Sequence, residues 1–259
     1  MIVSDENRYV FVEVPHTGSH SISEQLVKHY GGKPILRKHA NVTQYLKWAS
    51  PDQRSYFKFA TVRNPLDTAV TDYEKLKNNH KGQFTDPEKR FENGGHVTKD
   101  HRREFEFVNS DGVTFADFYA TFRAKLYNNW FLVGDQHFDY VIQFEALQIG
   151  FSKVLQSIGV PEVEPIPHVN RTAGKKLQFD HYYGPEIRGL AAACYGPFMQ
   201  KWGYGFPKCW GDVSVPLRSR LQFGAVDAAA RTLSQAFPLD PDARHVRRAK
   251  KLLDYLTRK

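Results

Sequence analysis

Two cysteines, Cys194 and Cys209, are all that the 259 residues contain. So few thiols exclude a disulfide framework, and without a Cys-x-x-Cys spacing they offer no zinc site. The expected state is two unpaired thiols in a reducing compartment, with one bridge between them as the alternative. No stretch approaches the roughly 20 apolar residues of a membrane span. The opening MIVSDENRYV has no apolar segment of the kind found in signal peptides, so the expected location is the cytoplasm. The chain also lacks the glycine-rich loop ending in Gly-Lys-Ser/Thr and an evident magnesium-binding acid after a strand, which weighs against a kinase. It has no internal repeat and no low-complexity segment.

What is present suits a folded protein: 41% of residues are hydrophobic and 25% charged, close to the soluble globular average. The length accommodates one large domain, or one domain and an appendage. The net charge of +8 is uneven, with seven cations against one acid between Arg244 and Lys259. Such a stretch favours polyanions, or forms an ordinary solvated helix face. No nucleic-acid-binding motif accompanies it, so no specific nucleic acid is expected as a partner.

Strands and helices alternate along the chain. Tyr9 to Val14 (YVFVEV) is β-branched and aromatic and predicts a buried strand. A small polar loop follows, Pro15-His16-Thr17-Gly18-Ser19-His20-Ser21, and then a helix to Tyr30 with Ile22 and Leu26 on one face. Pro34 to Leu36 predicts a short strand, and Asn41 caps a helix to about Ala49. Tyr56 to Val62 is a second strong strand, broken by Arg63-Asn64-Pro65, and Pro65 suits the first turn of the next helix, to Lys77. Asn78 to Asp111 is a long polar insertion of the kind that is functional or mobile. Thr114 caps a helix to Leu126, Tyr140 to Phe144 is a third strand, and Ala146 to Ile158 is an amphipathic helix. A proline-bearing linker, Pro161 to Pro167, leads to His168-Val169-Asn170-Arg171-Thr172 and a further helix around Ile187 and Cys194. Beyond Leu217 two helices are expected, one through Leu221 and Leu233 and one through Val246 and Leu256. This order is that of an α/β protein with a largely parallel sheet.

Ligands of such sheets bind beyond the carboxyl ends of the strands. Two loops lie there, Pro15–Ser21 and Arg63–Thr71. In the first, Gly18 lets the backbone approach an anion, Thr17, Ser19 and Ser21 offer hydroxyls, and the following helix offers its N-terminal N–H groups. In the second, Arg63 can fork onto a phosphate and Thr71 can donate to the same group.

Together these loops resemble the two nucleotide-binding motifs of sulfotransferases that use 3′-phosphoadenosine-5′-phosphosulfate (PAPS). The family's 5′-phosphosulfate loop reads approximately Pro-Lys-Thr-Gly-Thr-Thr-Ser and here is PHTGSHS. Its 3′-phosphate motif reads approximately Val-Arg-Asn/Asp-Pro followed by a serine and a tyrosine. Here it is Val62-Arg63-Asn64-Pro65 with Thr71 and Tyr73. Phe138 to Leu147, His168 to Thr172, Tyr195 and Trp202-Gly203-Tyr204 resemble the carbohydrate branch, of the Golgi or uronyl 2-O type. The resemblance covers about residues 8–206 and leaves the tail beyond Pro207 uncovered.

It implies a P-loop-like three-layer fold over residues 1–206, with a helical, basic extension at 207–259. It implies PAPS as co-substrate, 3′-phosphoadenosine-5′-phosphate as product, and no metal. Pro15, His16, Thr17, Gly18, Ser19, His20 and Ser21 would surround the phosphosulfate, and Arg63 and Thr71 the 3′-phosphate. Asn170 and Arg171 would lie near the nucleotide. One departure stands out: the loop lysine of the family is His16 here. Beside two phosphates an imidazolium is favoured, so His16 can still give a hydrogen bond or proton to the leaving group. A base must take the acceptor's proton. His39, placed at the end of the short strand predicted from Pro34, is the first candidate and His20 the second.

The acceptor is expected to bear a hydroxyl, on a carbohydrate or a glycosylated small molecule. The cations of the insertion, among them Lys81, Arg90, Arg102 and Arg103, extend this to anionic acceptors. A nucleotide or small-molecule kinase and a non-catalytic polyanion-binding protein are the competing readings.

Overall fold

The computed structural model describes residues 1–167 and 178–236. The second tail helix and the basic stretch from Arg244 lie outside the described residues, as do Asn170 and Arg171. The described chain divides into two compact units. One takes residues 1–64, 128–167 and 221–236, and the other residues 65–127 and 178–220.

The first unit holds a five-stranded sheet in the order β3-β1-β2-β4-β5. Its strands are β1 (Ile2–Ser4), β2 (Tyr9–Val12), β3 (Lys33–Pro34), β4 (Phe57–Val62) and β5 (Tyr140–Gln143). β2, β4 and β5 pair in parallel, while β1 is antiparallel to both β2 and β3. Four of the five strands therefore run one way. β1 escapes a sequence reading because it is three residues long and borders a polar turn. Helices α1 (Ser19–His29) and α6 (Leu147–Ser157) bury Ile22, Leu26, Phe151, Val154 and Leu155 against Tyr9, Phe11, Phe59 and Ile142 of the sheet. A Cβ at Gly150 would lie 2.5 Å from Ile142 Cγ2, so glycine sets how closely α6 approaches β5. Asn41 caps α2 (Val42–Trp48) as expected. Its side chain accepts from Gln44 N at 3.0 Å, and Gln44 Oε1 accepts from Asn41 N at 2.9 Å.

The second unit begins with α3 (Pro65–Lys77), whose proline occupies the first helical position. The insertion is more ordered than its composition suggests. It contains several 3₁₀ turns and α4 (Lys99–Val108), where Thr98 Oγ1 accepts from His101 N at 3.2 Å. Its cations are partly engaged, with Arg102 paired to Glu92 at 2.8 Å and Arg103 over the Phe122 ring. Thr114 starts a helix as expected, but α5 (Phe115–Phe118) passes into a π turn over Tyr119–Arg123 instead of continuing to Leu126. At its end Arg123 is held by Glu104 at 2.8 Å and Asp72 at 3.5 Å, over the Phe118 ring. α7 (Pro185–Lys201) adds Ile187, Ala191, Cys194, Tyr195 and Met199 to the same core.

Tyr73, Phe115, Phe118, Tyr119, Tyr182, Tyr183 and Tyr195 form a chain of edge-on and tilted ring contacts. Cys194 is buried and Cys209 exposed, and both are free. α8 (Leu217–Ala236) is the first of the expected tail helices. In its C-terminal part Arg231 joins Asp135 and Asp227 of the first unit, both at 3.1 Å. No helix among the described residues is long and apolar enough to cross a membrane.

Gly150→Ala should lower stability by about 1–3 kcal/mol through overpacking against Ile142, read as a lower urea midpoint at unchanged slope. Burial raises the phenols of Tyr119, Tyr183 and Tyr195 and pushes the Cys194 thiol up to about 11. Groups with raised folded values stabilise the fold below their ordinary range and cease to do so above it, because the unfolded chain then releases their protons. Stability should therefore hold through neutral pH and fall steeply above about pH 9 to 10, with tyrosinate absorbance appearing together with unfolding.

Candidate active site

β2 ends at Val12, and the chain must turn at once to enter α1. The turn is built on one carbonyl. Val14 O accepts from Thr17 Oγ1 at 2.7 Å and from Ser19 Oγ at 2.9 Å, and Thr17 Oγ1 also meets Thr61 Oγ1 of β4. Thr17 and Ser19, two of the three hydroxyls expected as donors to a ligand, thus spend their hydrogens inside the protein. What the loop offers outward is backbone. Gly18 is the N-cap of α1 at φ 74°, no side chain among the described residues caps the helix, and its first turn holds no acid. The N–H groups there lack the usual side-chain acceptor and bear the positive end of the helix dipole. Such a terminus fits a phosphate or a sulfate. Ser21 lies on the first turn of the helix and is buried.

The parallel register aligns the neighbouring strand ends. Val62 pairs with Gln143, so Arg63 falls beside Phe144 and Asn64 beside Glu145. The Arg63 guanidinium stacks over the Phe144 ring, 4.4 Å from its centroid, and Nη1 donates to the His16 carbonyl at 3.1 Å. Asn64 N donates to Glu145 Oε1 at 2.9 Å, which ties the start of the second loop to the end of β5. The Phe144 ring and Leu147 also close over Gly18, where a Cβ would come within 3.0 Å of the ring. Phe144 and Glu145 were not among the expected site residues. Their one sequence trace is their place just after the third strand, and only the register puts them beside the two loops. His16 itself adopts a left-handed conformation at φ 64°, a region that histidine visits more readily than most residues.

His39 lies in a turn beyond β3, not at a strand end. Its Nδ1 is 2.9 Å from the backbone oxygen of Glu13, and its ring meets the edge of Phe131. A carbonyl only accepts, so Nδ1 carries the hydrogen and Nε2 of the neutral ring keeps its lone pair. Glu13 is buried, and its carboxylate accepts from Ser23 Oγ at 2.8 Å. His20 is exposed on α1, 3.3 Å from Glu24. The first unit therefore brings together Pro15 to Ser21 and Arg63, with His39 anchored one residue past β2. Thr71 lies buried on α3 in the second unit.

A helix N-terminus without a side-chain cap among the described residues and an arginine at the carboxyl ends of parallel strands form a candidate anion site of the kind found in nucleotide-binding α/β proteins. The family model described as sulfotransferase family matches residues 1–180, and the chain belongs to that family. It is a sulfotransferase enzyme. Membership implies PAPS as sulfate donor and a hydroxyl-bearing acceptor. No curated protein and no solved structure matches the chain at a significant level.

Gly18→Ala should cost about 1–2 kcal/mol, since a left-handed position is strained for any residue with a Cβ. The Phe144 ring leaves no slack there. Denaturant titration of the purified variant measures the loss.

Proposed function

We propose that this enzyme transfers the sulfuryl group of PAPS to a hydroxyl of a carbohydrate or a glycosylated small molecule. Three features meeting at the carboxyl ends of β2 and β4 support this reading: an open helix N-terminus, Arg63, and a histidine held by a carbonyl with Nε2 as acceptor. When bound, PAPS supplies the sulfuryl group. The N–H groups of residues 17–21 and the Ser21 hydroxyl hold the phosphosulfate, with Pro15 setting the entry to the loop and Thr17 and Ser19 acting through its geometry. Arg63 takes the 3′-phosphate, and the roles of Thr71, Asn170 and Arg171 around the nucleotide rest on the resemblance alone. The carbohydrate branch likewise rests on resemblance, as does the assignment of catalysis to residues 1–206 with 207–259 as an extension.

Transfer needs in-line positioning and charge stabilisation. The bond from sulfur to the acceptor oxygen forms as the bond from sulfur to the 5′-phosphate oxygen breaks. His39 Nε2 takes the acceptor proton, and the Glu13 carbonyl keeps the ring turned for it. His16 gives a hydrogen bond or a proton to the departing phosphate. His20, paired with Glu24, is the second candidate for the base.

Calorimetric titration with 3′-phosphoadenosine-5′-phosphate should give micromolar affinity that exceeds that for ATP and falls by at least about a hundredfold in Arg63→Ala. Preference for ATP would revive the kinase reading. His39→Ala should abolish turnover while nucleotide affinity stays within about threefold. Loss of nucleotide binding in that variant would refute its assignment as base.

A further inference from the structure

A groove of about 720 Å³ opens beside the candidate site, within the range of small-molecule clefts. It runs between α1 and the segment from Pro34 to Lys38 that leads to His39. Val12 is the last residue of β2, and Glu13, whose backbone oxygen holds His39, forms part of the groove wall. His20, on the first turn of α1, lines it as well. The groove thus borders both the loop that faces the anion and the residue anchoring the candidate base.

Its lining is of two kinds. Ile2, Val27, Pro34, Ile35 and Leu36 make an apolar wall, and Val27 and Leu36 remain 47% and 43% exposed. Among the polar residues, charges of both signs alternate: Glu13 and Glu24 against Lys28 and Lys38. Lys28 already meets Glu164 at 3.5 Å. A polyanion needs a surface of one sign, and this groove does not offer one. Gln25 adds an independent observation. It lines the groove, is 5% exposed, and its Oε1 has no hydrogen-bond partner among the described residues. A buried acceptor left unsatisfied calls for a donor, and a hydroxyl reached by a turn of the amide provides one.

We infer that this groove receives the acceptor, and that the acceptor is a neutral hydroxyl compound with an apolar body, such as an aryl glycoside, and not an acidic glycan. The apolar body lies along Val27, Ile35 and Leu36, a hydroxyl satisfies Gln25, and the reacting hydroxyl points toward His39. This inference rests on the proposed sulfuryl transfer and narrows its acceptor class.

The test is binding of 4-nitrophenyl β-D-galactoside to protein saturated with 3′-phosphoadenosine-5′-phosphate, against free galactose and the acidic polysaccharide heparosan. The nitrophenyl glycoside should bind at least about tenfold more tightly than galactose. Val27→Trp, which fills the groove from an exposed helical position, should weaken it by about tenfold or more, while Ile149→Trp, at an exposed position of α6, leaves it within about twofold. Equal affinity for galactose and its nitrophenyl glycoside would overturn the inference. So would binding untouched by Val27→Trp, or a preference for heparosan. Failure of the nucleotide to bind would instead count against the donor site. The same glycoside titration without nucleotide then decides the groove separately.

Discussion

The carbonyl of Val14 is the point on which the candidate site turns. Two hydroxyls, from Thr17 and Ser19, donate to it, and their bonds bend the chain from β2 into α1 within a few residues. Without them Gly18 would have no fixed left-handed position, and α1 would not present its N-terminus at the carboxyl edge of the sheet. Thr61 of β4 joins the same network, so the turn is locked to the neighbouring strand as well. On the proposed reading, the Thr17 and Ser19 hydroxyls serve the anion by shaping backbone, and what they leave for it is N–H groups every sequence possesses.

How much of this was legible depended on whether the information was local. The strong strands at Tyr9, Tyr56 and Tyr140, the caps at Asn41 and Thr114, and the proline start of α3 follow from residue chemistry within a few positions. β1 did not, since three residues beside a polar turn give too short a pattern. α4 hid inside a charged insertion because its cap pairs Thr98 with a histidine, where the usual pattern has a carboxylate or an amide. The helix expected to reach Leu126 ends in a π turn that delivers Arg123 to Glu104 and Asp72. That exchange of helical continuity for a half-buried ion pair is tertiary, and no local propensity encodes it.

The site divides in the same way. The two loops were readable from composition and order, but what surrounds them was not. Phe144 and Glu145 reach Arg63 and Asn64 only through the alignment of β4 with β5. His39 was readable as a candidate base, while the feature that fits it for the task is a bond to the backbone oxygen of Glu13, an atom common to every residue. The basic insertion shows how contacts change what charge in a sequence offers. Of its cations, Arg102 and Arg103 are drawn into contacts within their own unit.

The replacement of the family's loop lysine by His16 can be argued from the backbone. Position 16 sits at φ 64°, where histidine, asparagine and aspartate are more at ease than a long aliphatic chain. Arg63 bonds the carbonyl of this residue and so helps hold the strained turn while bringing a permanent positive charge to the loop. With Arg63 and the helix terminus supplying charge that does not titrate near neutrality, the residue at 16 need not be a fixed cation. A histidine there can give up a proton, which a lysine does reluctantly, and a departing phosphate needs a proton or hydrogen bond as much as a neighbouring charge. On the proposed reading the substitution divides between Arg63 and His16 two tasks that a lysine would combine. The conformation of the loop favours that division, because the same left-handed turn that suits histidine presents its carbonyl to the arginine.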